Sequence, residues 1–145
     1  MYLDTAILVK LLVREPDSNF YAKLVEGQPA WSSDVVLTEC FAALLRKERE
    51  GAINRGHRRA AFSQVESDAA SGRLNLVPLA TDVLRAANVI LERVHPTVPL
   101  RSLDAIHLAS AERCRSWPLC SNDARVRAAA SHLGFSLSAL PAVRR

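Results

Sequence analysis

Glycine is scarce in this chain and never clustered: five residues in 145, at positions 27, 51, 56, 72 and 134. A Walker loop or a dinucleotide fingerprint needs grouped glycines so that the backbone can approach phosphates, and both are excluded. Lysine is scarcer still, and Lys47 is the last one. That excludes a receiver domain, which needs a late lysine and paired acids at its first strand. Cysteine occurs three times, as Cys40, Cys114 and Cys120. An odd count without a CxxC spacing makes neither a disulfide framework nor a zinc ribbon. These thiols read as small buried hydrophobes. No HExxH is present, and the four histidines lack metal-binding spacing. No apolar run approaches the roughly 20 residues of a membrane span. No basic-then-apolar leader precedes Asp4, so a cytoplasmic protein without membrane association is expected. There is no low-complexity stretch and no repeat at solenoid period.

What is present suits one domain spanning residues 1–145, a length that buries a sizeable core without disulfide or metal staples. Hydrophobic residues make up 49% and charged residues 23%, which argues against disorder. The net charge is +4, and its location is informative. The segment Arg46-Lys47-Glu48-Arg49-Glu50 to Arg55-Gly56-His57-Arg58-Arg59 alone carries +4, while the remaining charges cancel. Nearly all the cations are arginine, the side chain suited to phosphate forks. Arg46, Lys47, Arg55, Arg58 and Arg59 are therefore candidates for contact with a nucleic-acid backbone. The competing reading is a solvated helix end with Glu48 and Glu50 pairing locally.

Strand and helix signals alternate. Tyr2-Leu3 reads as a short strand, and Thr5 to Val13 as a helix with Ile7, Leu8, Leu11 and Leu12 on one face. A helix starts at Pro16-Asp17 and closes at Gly27. Ala30 to Ser33 is a weak strand candidate. Ser33 or Asp34 is expected to cap a long helix reaching Gly51. Another helix runs from about Arg55 to Ser71. Leu74 to Leu79 is a strand broken at Pro78. Thr81 or Asp82 is expected to cap a helix to Val94, and Ser102 one from Leu103 to about Arg115. Pro118 to Ser121 is a strand, Asp123 to Leu133 a helix, and Phe135 to Leu137 a candidate last strand. This order implies an α/β fold: a central, mainly parallel sheet of four to five short strands between two helical layers.

Four acids stand where apolar stretches meet helix starts: Asp4, Glu39, Asp104 and Asp123. Singly, an acid at a helix start is usually a cap. Glu39 fits that reading poorly, since it lies inside its helix beside Leu37, Cys40 and Phe41. Asp104 also fits poorly, because Ser102 is available as the cap. In an open α/β sheet, chemistry collects at the carboxyl ends of parallel strands. Four carboxylates brought to one such edge repel one another, so at least one pKa should rise and a counter-charge is needed. Oxygen ligands select Mg²⁺ or Mn²⁺. A haloacid-dehalogenase-like phosphatase is excluded, because its second Asp would fall at Ala6.

Four segments resemble the PIN-domain nucleases, specifically the VapC-type toxins of bacterial toxin–antitoxin pairs. They are Tyr2-Leu3-Asp4-Thr5 to Leu12, Thr38-Glu39-Cys40 to Arg46, Leu100-Arg101-Ser102-Leu103-Asp104 to Ala109, and Ser121-Asn122-Asp123 to Phe135. They follow the family's order over nearly the whole chain. Two positions depart: Ala6 stands where the family usually carries a small hydroxyl residue, and Ser121 where Thr is frequent.

The resemblance implies a metal-dependent endoribonuclease acting as a toxin, inhibited by a cognate antitoxin. Asp4, Glu39 and Asp104 would bind a first Mg²⁺ or Mn²⁺, and Asp123 would complete a second site or hold its water. A tRNA or rRNA substrate and a homodimer are implied as well. Thr5 and Ser121 are candidates to orient the carboxylates from behind, or else are turn hydroxyls. The leucine-bearing helices Thr5 to Val13 and Asp17 to Glu26 could leave a groove for an antitoxin helix. The alternatives are a catalytically silent RNA- or protein-binding PIN module and a structure-specific DNA nuclease. His107 reads as a buried structural histidine, Trp31 and Trp117 as core. Arg101 could pair with a carboxylate or touch phosphate.

Overall fold

The structure, a computed structural model, describes residues 1–142. The last three positions of the expected domain lie outside the described residues. The chain runs β1 (Tyr2–Leu3), α1 (Thr5–Leu12), α2 (Ser18–Val25), β2 (Ala30–Ser33), α3 (Val36–Arg49), α4 (Arg55–Ser71), β3 (Leu74–Val77), α5 (Thr81–Val94), α6 (Ser102–Cys114), β4 (Leu119–Cys120) and α7 (Ala124–His132). The four strands form one parallel sheet in the order β3-β2-β1-β4. Phe135 to Leu137 contributes a single parallel bridge, Leu119 to Leu137, and no full strand.

Side-chain alternation along the short strands builds a core on each face of the sheet. Tyr2, Trp31, Val77 and Leu119 pack with α5, α6 and α7; Leu3, Ala30, Leu74, Leu76 and Cys120 pack with α1 to α4. The expected α/β/α layering is therefore present. α6 is buried almost all round, at Ala105, Leu108, Ala109 and Ala111, which marks it as an internal helix. Trp31 and Trp117 pack against the core as expected. All three cysteines are free, and burial pushes the Cys40 thiol up to about 12, so it stays an inert hydrophobe.

Several expected caps are not caps. The Ser33 hydroxyl accepts from the Val35 N–H at 3.4 Å, and Asp34 accepts from the Leu79 N–H at 3.2 Å, tying β2 to the end of β3. Neither side chain bonds the first turn of α3. α5 starts after Ala80 and α6 after Arg101, again without a side-chain cap. Ser102 is the first residue of α6 itself. Gly72 ends α4 at φ 77°, a left-handed conformation that favours glycine.

The strand order positions the site. From β1 the chain moves outward to β2 and β3 in one direction, then returns to place β4 on β1's other side. The connections diverge above β1 and β4, which opens a crevice at the carboxyl ends of those two strands. Asp4 directly follows β1, and Asp123 lies just after β4.

Candidate active site

Asp4, Glu39, Asp104 and Asp123 all line one cleft of 690 Å³ over that crevice. Local structure explains how each is held. Asp4 is the N-cap of α1, its Oδ1 accepting from the Ile7 N–H at 3.0 Å. Asp123 is the N-cap of α7, its Oδ1 accepting from Arg125 at 2.8 Å and Val126 at 3.2 Å. For these two acids, cap and cleft residue are one and the same: a single oxygen satisfies the helix start and the second takes no backbone bond. Glu39 comes from the first turn of α3 and Asp104 from the first turn of α6, and neither caps.

Glu39 is pinned from behind. Its Oε1 accepts from the Thr5 hydroxyl at 2.8 Å and from His107 Nε2 at 2.7 Å. The Tyr2 hydroxyl lies 2.8 Å from His107 Nδ1. With the tyrosine donating, Nδ1 accepts and Nε2 carries the proton, a tautomer assigned from the network. His107 is buried, as expected, but it is more than packing, because it fixes the orientation of a cleft carboxylate. Its spacing three residues after Asp104 was the signal, but the partners, 68 and 105 residues away, were not visible in the sequence. Thr5 thus bonds a cleft acid directly. Ser121 is fully buried, and its Oγ accepts from the Asp123 N–H at 3.1 Å.

Asp4 and Glu39 shift in opposite directions. Burial pushes the Asp4 carboxyl above its usual range, opposed in part by the Ser121 hydroxyl and the Ile7 N–H. Burial also raises Glu39, but the bonds from His107 and Thr5 outweigh it and hold the group below the usual range. A rise does appear at Asp4, but desolvation causes it in the main, and the repulsion that was expected to drive it, from Asp123, contributes least.

Arg101 answers the question left open by the sequence. Its Nε lies 2.8 Å from Asp104 Oδ2 and its Nη2 3.2 Å from Asp104 Oδ1, a two-point fork. The same Nη2 is 3.5 Å from Asp123 Oδ2. Among the described residues, no three acid, histidine or cysteine side chains converge into a ready coordination sphere. The physical reason is visible: Arg101 engages Asp104 and Asp123, while Thr5 and His107 engage Glu39. The donors nevertheless suit a hard divalent cation, being oxygen throughout, with Asp4 and Asp104 buried in the cleft wall.

The cationic flank differs from expectation. Arg46 and Lys47 line the cleft, joined by Arg49, which was not singled out; Arg55, Arg58 and Arg59 do not line it. Lys47 is consumed by Glu15 at 2.7 Å, in a cluster where Lys10 binds Glu15 at 2.6 Å and Asp17 at 2.8 Å. That cluster also explains why Asp17 does not cap α2. Arg58 pairs with Glu48 and lies 5.7 Å over the Phe41 ring. Arg46 and Arg49 remain exposed at the cleft, with Arg46 4.0 Å from Glu50 in the local pairing that the competing reading expects.

A PIN-domain family profile matches residues 1–132. The chain belongs to the PIN-domain family. Ribonuclease VapC46 of Mycobacterium tuberculosis is 35% identical over 144 residues, which is 96% of each chain. Ribonuclease VapC47 of the same species is 28% identical over 151 residues, covering 99% of each. Among solved structures, the crystal structure of VapBC2 from Rickettsia felis bound to a DNA fragment from their promoter superposes with a TM-score of 0.66. That match covers 94% of this chain and 96% of the other at 14% identity, which establishes likeness of fold.

The titration behaviour of Asp4 gives a test within this PIN domain. A carboxyl raised in the folded state adds stability that is complete below the unfolded pKa, about 4, and is lost as pH rises through the folded value. Above the unfolded pKa, placing a charge on the buried Asp4 therefore weighs against the metal-free fold. Asp4→Asn keeps the cap to Ile7 and removes that charge. Thermal melts in EDTA at about pH 5 and about pH 8 should show the variant gaining more over wild type at the higher pH. An equal shift at both would contradict the assignment.

Proposed function

We propose that this PIN domain is a metal-dependent endoribonuclease, the toxin of a toxin–antitoxin pair. The observation that carries the proposal is the gathering of four carboxylates from β1–α1, α3, α6 and β4–α7 into one cleft at the sheet's switch point. The ribonuclease names of the two curated relatives support it. Asp4, Glu39 and Asp104 would hold a first Mg²⁺ or Mn²⁺, and Asp123 would complete a second position or hold the attacking water. Such a cation, when bound, would supply counter-charge to the acids and lower the pKa of a water toward neutrality.

The chain's own groups do the rest. Thr5 and His107 fix Glu39 on one oxygen, leaving Oε2 free of both bonds. The caps at Ile7 and at Arg125 and Val126 fix Asp4 and Asp123 in the same one-sided way. Orientation is therefore set before RNA arrives, which lowers the entropic cost of the step. In-line attack of water on phosphorus, opposite the 3′ oxygen, leaves a 5′-phosphate and a 3′-hydroxyl.

Asp104→Asn preserves size and removes one anionic donor. Cleavage of structured RNA with Mn²⁺ should fall by about a hundredfold or more, with the circular dichroism spectrum unchanged. Wild-type cleavage by this variant would defeat the proposal.

RNA is held, in this reading, by Arg46 and Arg49 beside the acids. Arg55 and Arg59, at the start of α4, extend the contact along the strand. As salt rises, a protein loses affinity for RNA with a slope proportional to the number of phosphates it neutralises. Replacing Arg46 and Arg49 with Ala should flatten the salt dependence of RNA binding by about two phosphate charges. The Arg55/Arg59 pair of substitutions should act more weakly. A larger loss from the α4 pair would move the binding face away from the cleft.

The antitoxin is assigned to an apolar groove of 470 Å³ at the opposite, amino-terminal edge of the sheet. Leu8, Leu11 and Leu12 of α1, Val25 of α2 and Val65 of α4 line it. An amphipathic helix suits such a groove, and self-association into a homodimer belongs to the same proposal. Co-expression with the small protein encoded beside this one should give a single complex on gel filtration, lost in Leu11→Glu/Leu12→Glu. A complex indifferent to those substitutions would place the antitoxin elsewhere.

A further inference from the structure

Among the described residues, Arg101 is the cation that hydrogen-bonds two of the cleft acids, and the chemistry above leaves it without a task. Its geometry is asymmetric. Asp104 is buried, its side chain 11% exposed, whereas the Arg101 side chain is 59% exposed. The carboxylate belongs to the cleft wall, and the guanidinium reaches in from solvent. Arg101 precedes α6 in extended backbone, φ −89° and ψ 160°, and its side chain does not cap the helix. Both of its hydrogen-bonding partners are cleft acids, Asp104 and Asp123. Among the described residues, the other cation near these two acids is Arg125, 3.8 Å from Asp123 on the oxygen already used for capping.

We propose that Arg101 is a displaceable counter-ion: its guanidinium occupies the gap between Asp104 and Asp123 in the metal-free protein and competes there with a divalent cation. The inference rests on the reading of this cleft as a divalent-cation site. Two physical facts support it. The fork engages both oxygens of Asp104, so another cation cannot use that carboxylate fully while the fork stays in place. A guanidinium open to water on most of its surface is held weakly and released at small cost. Without any counter-ion, the acids would repel one another across a partly dehydrated cleft. Arg101 relieves that repulsion until a cation of higher charge arrives, and the freed fork then lies at the cleft mouth, where it is suited to an RNA phosphate.

The sign of one substitution separates this from a fixed structural pair. A permanent orienting partner of Asp104 would, when removed, weaken cation binding; a competitor would, when removed, strengthen it. Mn²⁺ alone is titrated calorimetrically into EDTA-stripped wild type, Arg101→Ala, Arg101→Lys and Asp104→Asn, and each metal-free protein is melted. Arg101→Ala is expected to bind Mn²⁺ about tenfold more tightly, because a nearby like charge is gone. It should also melt at a lower temperature without metal, because the acids have lost their counter-ion. Arg101→Lys keeps the charge and stays nearer wild type. Unchanged or weaker Mn²⁺ binding by folded Arg101→Ala, alongside wild-type binding that Asp104→Asn abolishes, overturns the counter-ion role and leaves the cation site standing. Absence of Mn²⁺ binding in wild type and every folded variant overturns both.

Discussion

Negative charge confined to a partly dehydrated crevice is the constraint around which this molecule is arranged. The parallel order β3-β2-β1-β4 makes the crevice. Helix starts and the walls of α3 and α6 then bring four carboxylates to it. Three devices restrain the four acids: backbone N–H groups for Asp4 and Asp123, Thr5 and His107 for Glu39, and Arg101 for Asp104 in the metal-free protein. Repulsion that would otherwise scatter the acids is absorbed locally by hydrogen bonds and one guanidinium.

Burial makes those devices consequential. Tyr2, fully buried in the first strand, holds His107, which in turn holds Glu39. A sheet residue, an internal helix and a cleft acid are thus linked in one chain of contacts. Because α6 carries both Asp104 and His107 and is packed on nearly every side, displacement of that helix would move two parts of the site together.

The helices and strands were legible in the sequence because apolar periodicity and glycine stops are local signals. Asp4, Asp104 and Asp123 stand out for the same reason, each where an apolar stretch meets a helix start, and Glu39 stands out as an acid among apolar neighbours inside its helix. Caps were less legible, because Asp34 and Asp17 hold their partners through tertiary contacts, Leu79 and Lys10, that no local pattern encodes. Lys47 and Arg58 looked like free cations in the linear charge count, but folding spends them on Glu15 and Glu48. Nothing in the linear charge count distinguishes Arg49 from its neighbours, although its three-residue spacing from Arg46 places both at the cleft.

The most direct measurement is the chemistry of the cut ends. An oligoribonucleotide is cleaved with Mn²⁺ in heavy-oxygen water, and the fragments are weighed by mass spectrometry. Hydrolysis by water at a carboxylate-held cation predicts a 5′-phosphate carrying the heavy oxygen and an unlabelled 3′-hydroxyl. Fragments ending in a 2′,3′-cyclic phosphate, or cleavage that persists in EDTA, would contradict the account.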